Sequence, residues 1–191
     1  MQQLKLFMVL IGATPAGRHT EQHDVFFGIA ENLPGLVDDM KSFWPEAAEV
    51  MHIDAWREVT TVDGYRVNVT QKTAGAVTEG PKLFFINLGG YQANKFEEQH
   101  YYIITAKENR SLAFREAKET LFYQQNHIPG CTSHIDDKYG IDVDELYEIA
   151  DILSAQQKEK YTIQLSPGVD LAEDEFHLGY LKMSLLEGAN I

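Results

Sequence analysis

The chain has 191 residues, 44% of them hydrophobic, and a formal charge of −13. That length fits one domain or two small fused halves, and the apolar fraction is that of a globular chain. The charge repels phosphate backbones and anionic lipid, and no basic stripe offsets it, which excludes nucleic acid and membranes as partners.

No apolar run approaches the ~20 residues of a membrane span. Met1–Lys5 lacks the marks of a signal peptide. Cys131 is the single cysteine, so no intrachain disulfide forms and the cytoplasm is the expected setting.

Leu4–Ile11 is a nearly continuous apolar run, read as a buried strand, and Gly12–Thr20, with Gly17 and Pro15, reads as a loop. His23–Ala30 reads as a second strand. Leu36, Met40, Phe43 and Trp44 recur at helical spacing before Pro45, which predicts a helix and its stop. Val50–Val59 is a third strand, Asp63-Gly64 a hairpin turn and Tyr65–Val69 the returning strand. Gly75–Pro81 reads as a junction. Beyond it, His100–Ala106 reads as a strand, and a helix opens at Ser111 as N-cap and runs to about Tyr123. Leu146, Ile149, Ile152 and Leu153 share one face, which predicts an inserted amphipathic helix over Asp142–Gln157. Tyr161–Leu165 resembles Tyr65–Val69, and Phe176–Met183 reads as a closing strand.

This order of elements occurs twice. Lys5-Leu6-Phe7, Gly12, Ala16, Glu21-Gln22-His23, Glu31-Asn32 and Lys41 all return 77 residues later. His52-Ile53-Asp54 returns as His134-Ile135-Asp136, 82 residues on. The pattern predicts an α+β fold of two tandem pseudo-symmetric β-β-α-β-β repeats in a largely antiparallel sheet. Residues 1–80 form the first repeat, and 81–191 the second, with the inserted helix near 142–157 and a C-terminal tail. Two copies are too few for a solenoid, so a single compact body is expected.

The repeated polar motifs carry the chemistry. Residues two apart on a strand share a face about 6.6 Å apart. Glu21 and His23 therefore pair on one face, as do His52 and Asp54, with Glu98, His100, His134 and Asp136 as their repeats. Neighbouring strands would bring each set together. Such a set suits a small polar ligand, a metal, a histidine poised by a carboxylate, or a buried hydrogen-bonded network. No metal-ligand spacing of the HExxH or CxxC type is present, so no metal, cofactor or stoichiometric zinc is expected, and no residue is singled out as catalytic. Arg18 and Lys95 each stand three residues before the repeated glutamate, as anion receivers or as surface partners of that glutamate. Cys131 does not recur and reads as incidental, and Trp44 and Trp56 read as packing residues.

The wording of the first half is specific. Glu21-Gln22-His23-Asp24, Phe26–Glu31, Met40-Lys41, Phe43-Trp44-Pro45, His52–Val59 and Asp63-Gly64-Tyr65 resemble a bacterial family of unknown function, domain of unknown function number fifteen forty-three. The resemblance implies a cytoplasmic protein of about this size and supplies no reaction.

The sequence thus predicts an uncharacterised cytoplasmic protein that binds a small polar ligand or a partner through the repeated motifs and self-associates as a homo-oligomer. Two rivals stand beside it: a metal-assisted hydrolase using the same residues, and a purely structural or interaction protein.

Overall fold

The computed structural model describes residues 3–73, 75, 80–91, 96, 98–119 and 142–187, with the backbone alone described at 90, 91, 98 and 142–144. The fold is mixed α+β, and every strand pairing within its sheets is antiparallel. The chain divides into two units, one of Met1–Thr78 with Leu153–Ile191, the other of Glu79–Ile152.

Unit 1 begins with β1 (Lys5–Ala13) and β2 (Gln22–Ala30). A short 3-10 turn leads to α1 (Val37–Phe43), then come β3 (His52–Glu58), β4 (Thr61–Val62) and β5 (Tyr65–Gln71). Asp63 and Gly64 have φ of 50° and 78°, the two positive values of a type I′ turn, as the dipeptide predicted. Unit 2 holds β6 (Lys82–Tyr91), β7 (Glu98–Lys107), α2 (Arg110–Glu119), β8 (Asp142–Glu148) and α3 (Ile149–Ile152). The chain then returns to unit 1 with α4 (Ala155–Lys160), β9 (Tyr161–Pro167), β10 (His177–Lys182) and α5 (Met183–Glu187).

In unit 1 the sheet order is β10-β3-β1-β2, with β4-β5-β9 as a second sheet. Alternate residues of β1, namely Phe7, Val9, Ile11 and Ala13, bury one face against Phe26, Leu36, Met40, Ile53 and Met183. In unit 2 the order is β7-β6-β8, and Phe84, Ile86, Leu88 and Leu146 pack on Ala113 and Ala117 of α2. The two alanines, four apart, let the helix approach the sheet closely.

The registers of the two units coincide. Lys5 pairs with Ala30 and Gly12 with His23, as Lys82 pairs with Lys107 and Gly89 with His100. The β1–β3 register breaks between Leu10 and Ile11, and β6–β8 breaks at the matching step, between Asn87 and Leu88. Lys5 pairs with Glu58 at 2.7 Å, and Lys82 with Glu148 at 2.9 Å. The repeated asparagines have one job: Asn32 Oδ1 accepts from the Gly35 N–H, and Asn109 Oδ1 from the Leu112 N–H, each at 3.1 Å.

Several expectations need correction. Residues 142–148 form a strand, and helix is limited to Ile149–Ile152 and Ala155–Lys160. Short apolar runs with acidic starts fit either state, and here the edge of β6 captures the segment. The register counterpart of His52–Asp54 is therefore Asp142–Asp144, since Gly12 faces His52 and Gly89 faces Asp142. His134-Ile135-Asp136, matched to His52-Ile53-Asp54 by wording, lies outside the described residues. The tail after Leu153 joins unit 1 rather than the second repeat, because β9 pairs with β5 and β10 with β3. Helix α2 is capped by Asn109 rather than Ser111. Gly12 lies inside β1, not in a loop.

Candidate functional site

The end of β1 is where the polar motifs meet. Gly12 is the register partner of His23 on β2 and of His52 on β3, so all three project from one face of the sheet. A Cβ on Gly12 would stand 2.3 Å from Asp54 Oδ2 and 2.5 Å from His52 Nε2. Real Cβ atoms do not approach so closely, so the missing side chain makes room for the His52 imidazole and the Asp54 carboxylate. Leu10 pairs with Ala55 and Ile11 with Ile53, which leaves Asp54 as the extra residue of a β-bulge. A bulge re-aims a side chain, and this one delivers the Asp54 carboxylate to the same spot.

Glu21, just before β2, completes a quartet. His52 Nε2 lies 3.0 Å from Glu21 Oε1 and 3.3 Å from Asp54 Oδ1. His23 Nε2 lies 3.2 Å from Asp54 Oδ2 and 3.5 Å from Glu21 Oε2. Each carboxylate thus spans both imidazoles, one oxygen toward each. The His52 side chain is only 7% exposed, while those of His23 and Glu21 are 40% and 46% exposed, so the quartet is closed behind and open in front. The Tyr180 ring lies over His52 at 4.4 Å. It reaches there because the β10–β3 register also breaks between Leu178 and Leu181, opposite Asp54.

The distances suit hydrogen bonds but the alignments do not: His52 Nε2 and Asp54 Oδ2 are buried without a hydrogen-bond partner. An unmatched buried polar atom costs about 1–3 kcal/mol. As the four heads stand, no group of three or more histidine, cysteine, aspartate or glutamate side chains among the described residues is set to hold a metal ion.

A second polar cluster is structural. Asp174 Oδ1 accepts from Thr60 N–H at 3.0 Å, from Thr60 Oγ1 at 2.6 Å and from Thr61 N–H at 3.2 Å, pinning the tail to the turn before β4. Arg57 lies 3.7 Å from Asp174 Oδ2 and stacks on Phe176. Burial pushes the Arg57 guanidinium below its ordinary value, and Asp174 opposes that shift. These residues line an open groove of about 520 Å³ that no quartet residue enters.

Of the sequence candidates, the structure brings together Glu21, His23, His52 and Asp54. Arg18 is exposed in the loop before β2 and takes no part in the quartet's ion pairs. His100 Nδ1 lies 3.1 Å from Asn87 Oδ1. Lys95, His134, Asp136 and Cys131 lie outside the described residues, and Glu98 is described in backbone only. Sequence reasoning missed Gly12 and Tyr180. The recurrence of Gly12 as Gly89 was the available signal for the first, and nothing local marked the second.

Residues 18–69 match the model of a Domain of Unknown Function, DUF1543, so the resemblance stated from the sequence holds over that stretch. No curated protein matches the chain. The fold is similar to the crystal structure of a protein, Il1583, from Idiomarina loihiensis, with a TM-score of 0.54 and 19% identity over 94% of this chain and 98% of that one. At that identity the likeness speaks for the fold alone. Among the described residues no helix is long and apolar enough to cross a membrane.

Proposed function

We propose that this protein binds a small, positively charged ligand at the Glu21, His23, His52 and Asp54 quartet. The observation that carries the reading is the buried His52 Nε2, which has no hydrogen-bond partner yet faces two carboxylates. With its ring proton on Nδ1, His52 turns an Nε2 lone pair toward two carboxylates, and such a set is satisfied by a cation. Exposed heads on Glu21 and His23 give the ligand a way in. We read the two units as copies of one building block, a view supported by their shared registers, with the ligand site kept in unit 1. The lone cysteine supports the cytoplasm as the setting.

The test is thermal stability of the full chain against methylammonium, guanidinium, magnesium, zinc and nickel ions. At least one cation should raise the midpoint in the wild type, and Asp54→Asn should abolish the rise. No stabilisation by any of them would end the reading.

The interaction reading has its own support. Phe176, Leu178 and Tyr180 on or beside the edge strand β10 are exposed at 60%, 78% and 63%. A run of exposed apolar side chains on an edge strand favours pairing with another chain. Self-association through this edge predicts a dimer in light scattering that Leu178→Lys dissociates.

A further inference from the structure

We infer that the ligand of the quartet is a divalent transition-metal ion, taken by His23 Nε2, His52 Nε2 and one oxygen each of Asp54 and Glu21. This rests on the cation-binding reading above and narrows its ligand to one chemical class.

The donor set comes first. Two imidazole nitrogens and two carboxylates suit zinc, nickel, cobalt or iron, whereas magnesium and calcium prefer oxygen alone. The four nitrogen–oxygen separations, 3.5, 3.2, 3.0 and 3.3 Å, run to four different oxygens, so they gather the four heads without yet setting one oxygen of each carboxylate around a single point. His52 is the independent sign of a ligand. Its side chain is more than nine-tenths buried, and its Nε2 has no hydrogen-bond partner although it faces the carboxylates of Glu21 and Asp54.

The heads are not yet set around one point, because each carboxylate divides its oxygens between the two imidazoles. Loading needs Glu21 and Asp54 each to turn one oxygen inward. Glu21, half-exposed, has solvent on one side in which to turn. Gly12 leaves room for the His52 ring, and Tyr180 lies over it. The described residues of unit 2 do not repeat the pair of histidines at these register positions. Its register places Asp142 where His52 stands, and His100 Nδ1 lies against Asn87. The inference therefore assigns one ion per chain, in unit 1.

The experiment is isothermal titration of tag-free, chelator-treated full chain with zinc chloride, nickel chloride and magnesium chloride. We expect one zinc or nickel ion per chain and no magnesium heat at the same concentrations. Losing a direct ligand should weaken binding by at least about 100-fold, above the 10–100-fold range known for supporting residues. His52→Gln and Asp54→Asn should both show that loss, and His177→Gln should not. His23 is exposed enough that His23→Gln will fold even if the His52 variant does not, and it should show the same loss. With cobalt(II), the wild type should develop visible ligand-field bands that His23→Gln abolishes. No zinc or nickel binding, or binding indifferent to His23→Gln, overturns the inference. Methylammonium binding that Asp54→Asn removes, with no metal binding, overturns this inference alone. Silence from every cation overturns the broader reading as well.

Discussion

Replacing Gly12 with alanine tests the geometry of the site with one methyl group. On an ordinary strand the change is favourable by about 0.4–1 kcal/mol, because glycine is the more flexible residue in the unfolded chain. Here the new Cβ would meet Asp54 Oδ2 at 2.3 Å and His52 Nε2 at 2.5 Å. The His52 ring is held by burial under Tyr180, and an Asp54 carboxylate that gives way loses its place beside both imidazoles. Forcing a methyl into a filled space costs about 1–3 kcal/mol. The net loss should be about 1–2 kcal/mol, or roughly 3–6 °C in the melting midpoint for a chain of this size. Circular dichroism melts of G12A and of G35A make the comparison. A Cβ at Gly35 comes no nearer than 3.4 Å to its neighbours, so that variant should be neutral or slightly stabilised. In an Asp54→Ala background the G12A cost should shrink by about 0.5 kcal/mol or more, since the nearest obstacle is gone. If G12A is as harmless as G35A, or adds strictly to Asp54→Ala, the close-approach reasoning is wrong.

Other variants address the frame around the site. Gln157 Oε1 accepts from Ile29 N–H at 2.9 Å, and its Nε2 donates to Ile29 O at 3.2 Å and to Asp39 at 2.7 Å. Gln157→Ala should cost about 2–3 kcal/mol in urea melts, because it strands buried groups on β2. Gln157→Leu, of similar bulk, should be no better, which separates lost hydrogen bonds from lost volume. Asp174→Ala should release the tail, seen as faster proteolytic cleavage between 168 and 176 than in the wild type. Lys82 is held above its ordinary value by its hydrogen bond to Glu148, but it is exposed. Lys82→Met should therefore change stability by less than about 1 kcal/mol at 0.15 M salt. The sign is fixed: whatever the pair contributes is present below the ordinary lysine range and fades as pH rises through the elevated value.

Much of the frame was legible because it is written in periodicities. The nearly continuous apolar run of β1, the Asp63-Gly64 turn and the helix ended by Pro45 all act over a few residues. The repeated identities near 5–32 also had direct physical causes: lysines that pair across strands, a glycine that clears a space, asparagines that cap a turn or helix. The quartet was foreseen as to residue type and face, since His52 and Asp54, like Glu21 and His23, are two apart. What the sequence hid depends on pairing between distant segments. Asp142–Glu148 carries helical spacing, yet the open edge of β6 makes it a strand. The bulge at Asp54 arises only when β1 pairs with β3, and Tyr180 reaches His52 only when β10, some 125 residues further on, joins β3.

The central claim is that the His52 ring nitrogen is a ligand atom awaiting a metal ion. Nitrogen-15 correlation spectra of the imidazole rings, recorded on chelator-treated full chain before and after one equivalent of zinc, test it most directly. The account predicts that the Nε2 signals of His23 and His52 move together to the metal-bound region and saturate at one ion per chain, while His177 stays in place. Unchanged His23 and His52 rings at a full equivalent of zinc, or movement confined to other histidines, would contradict it.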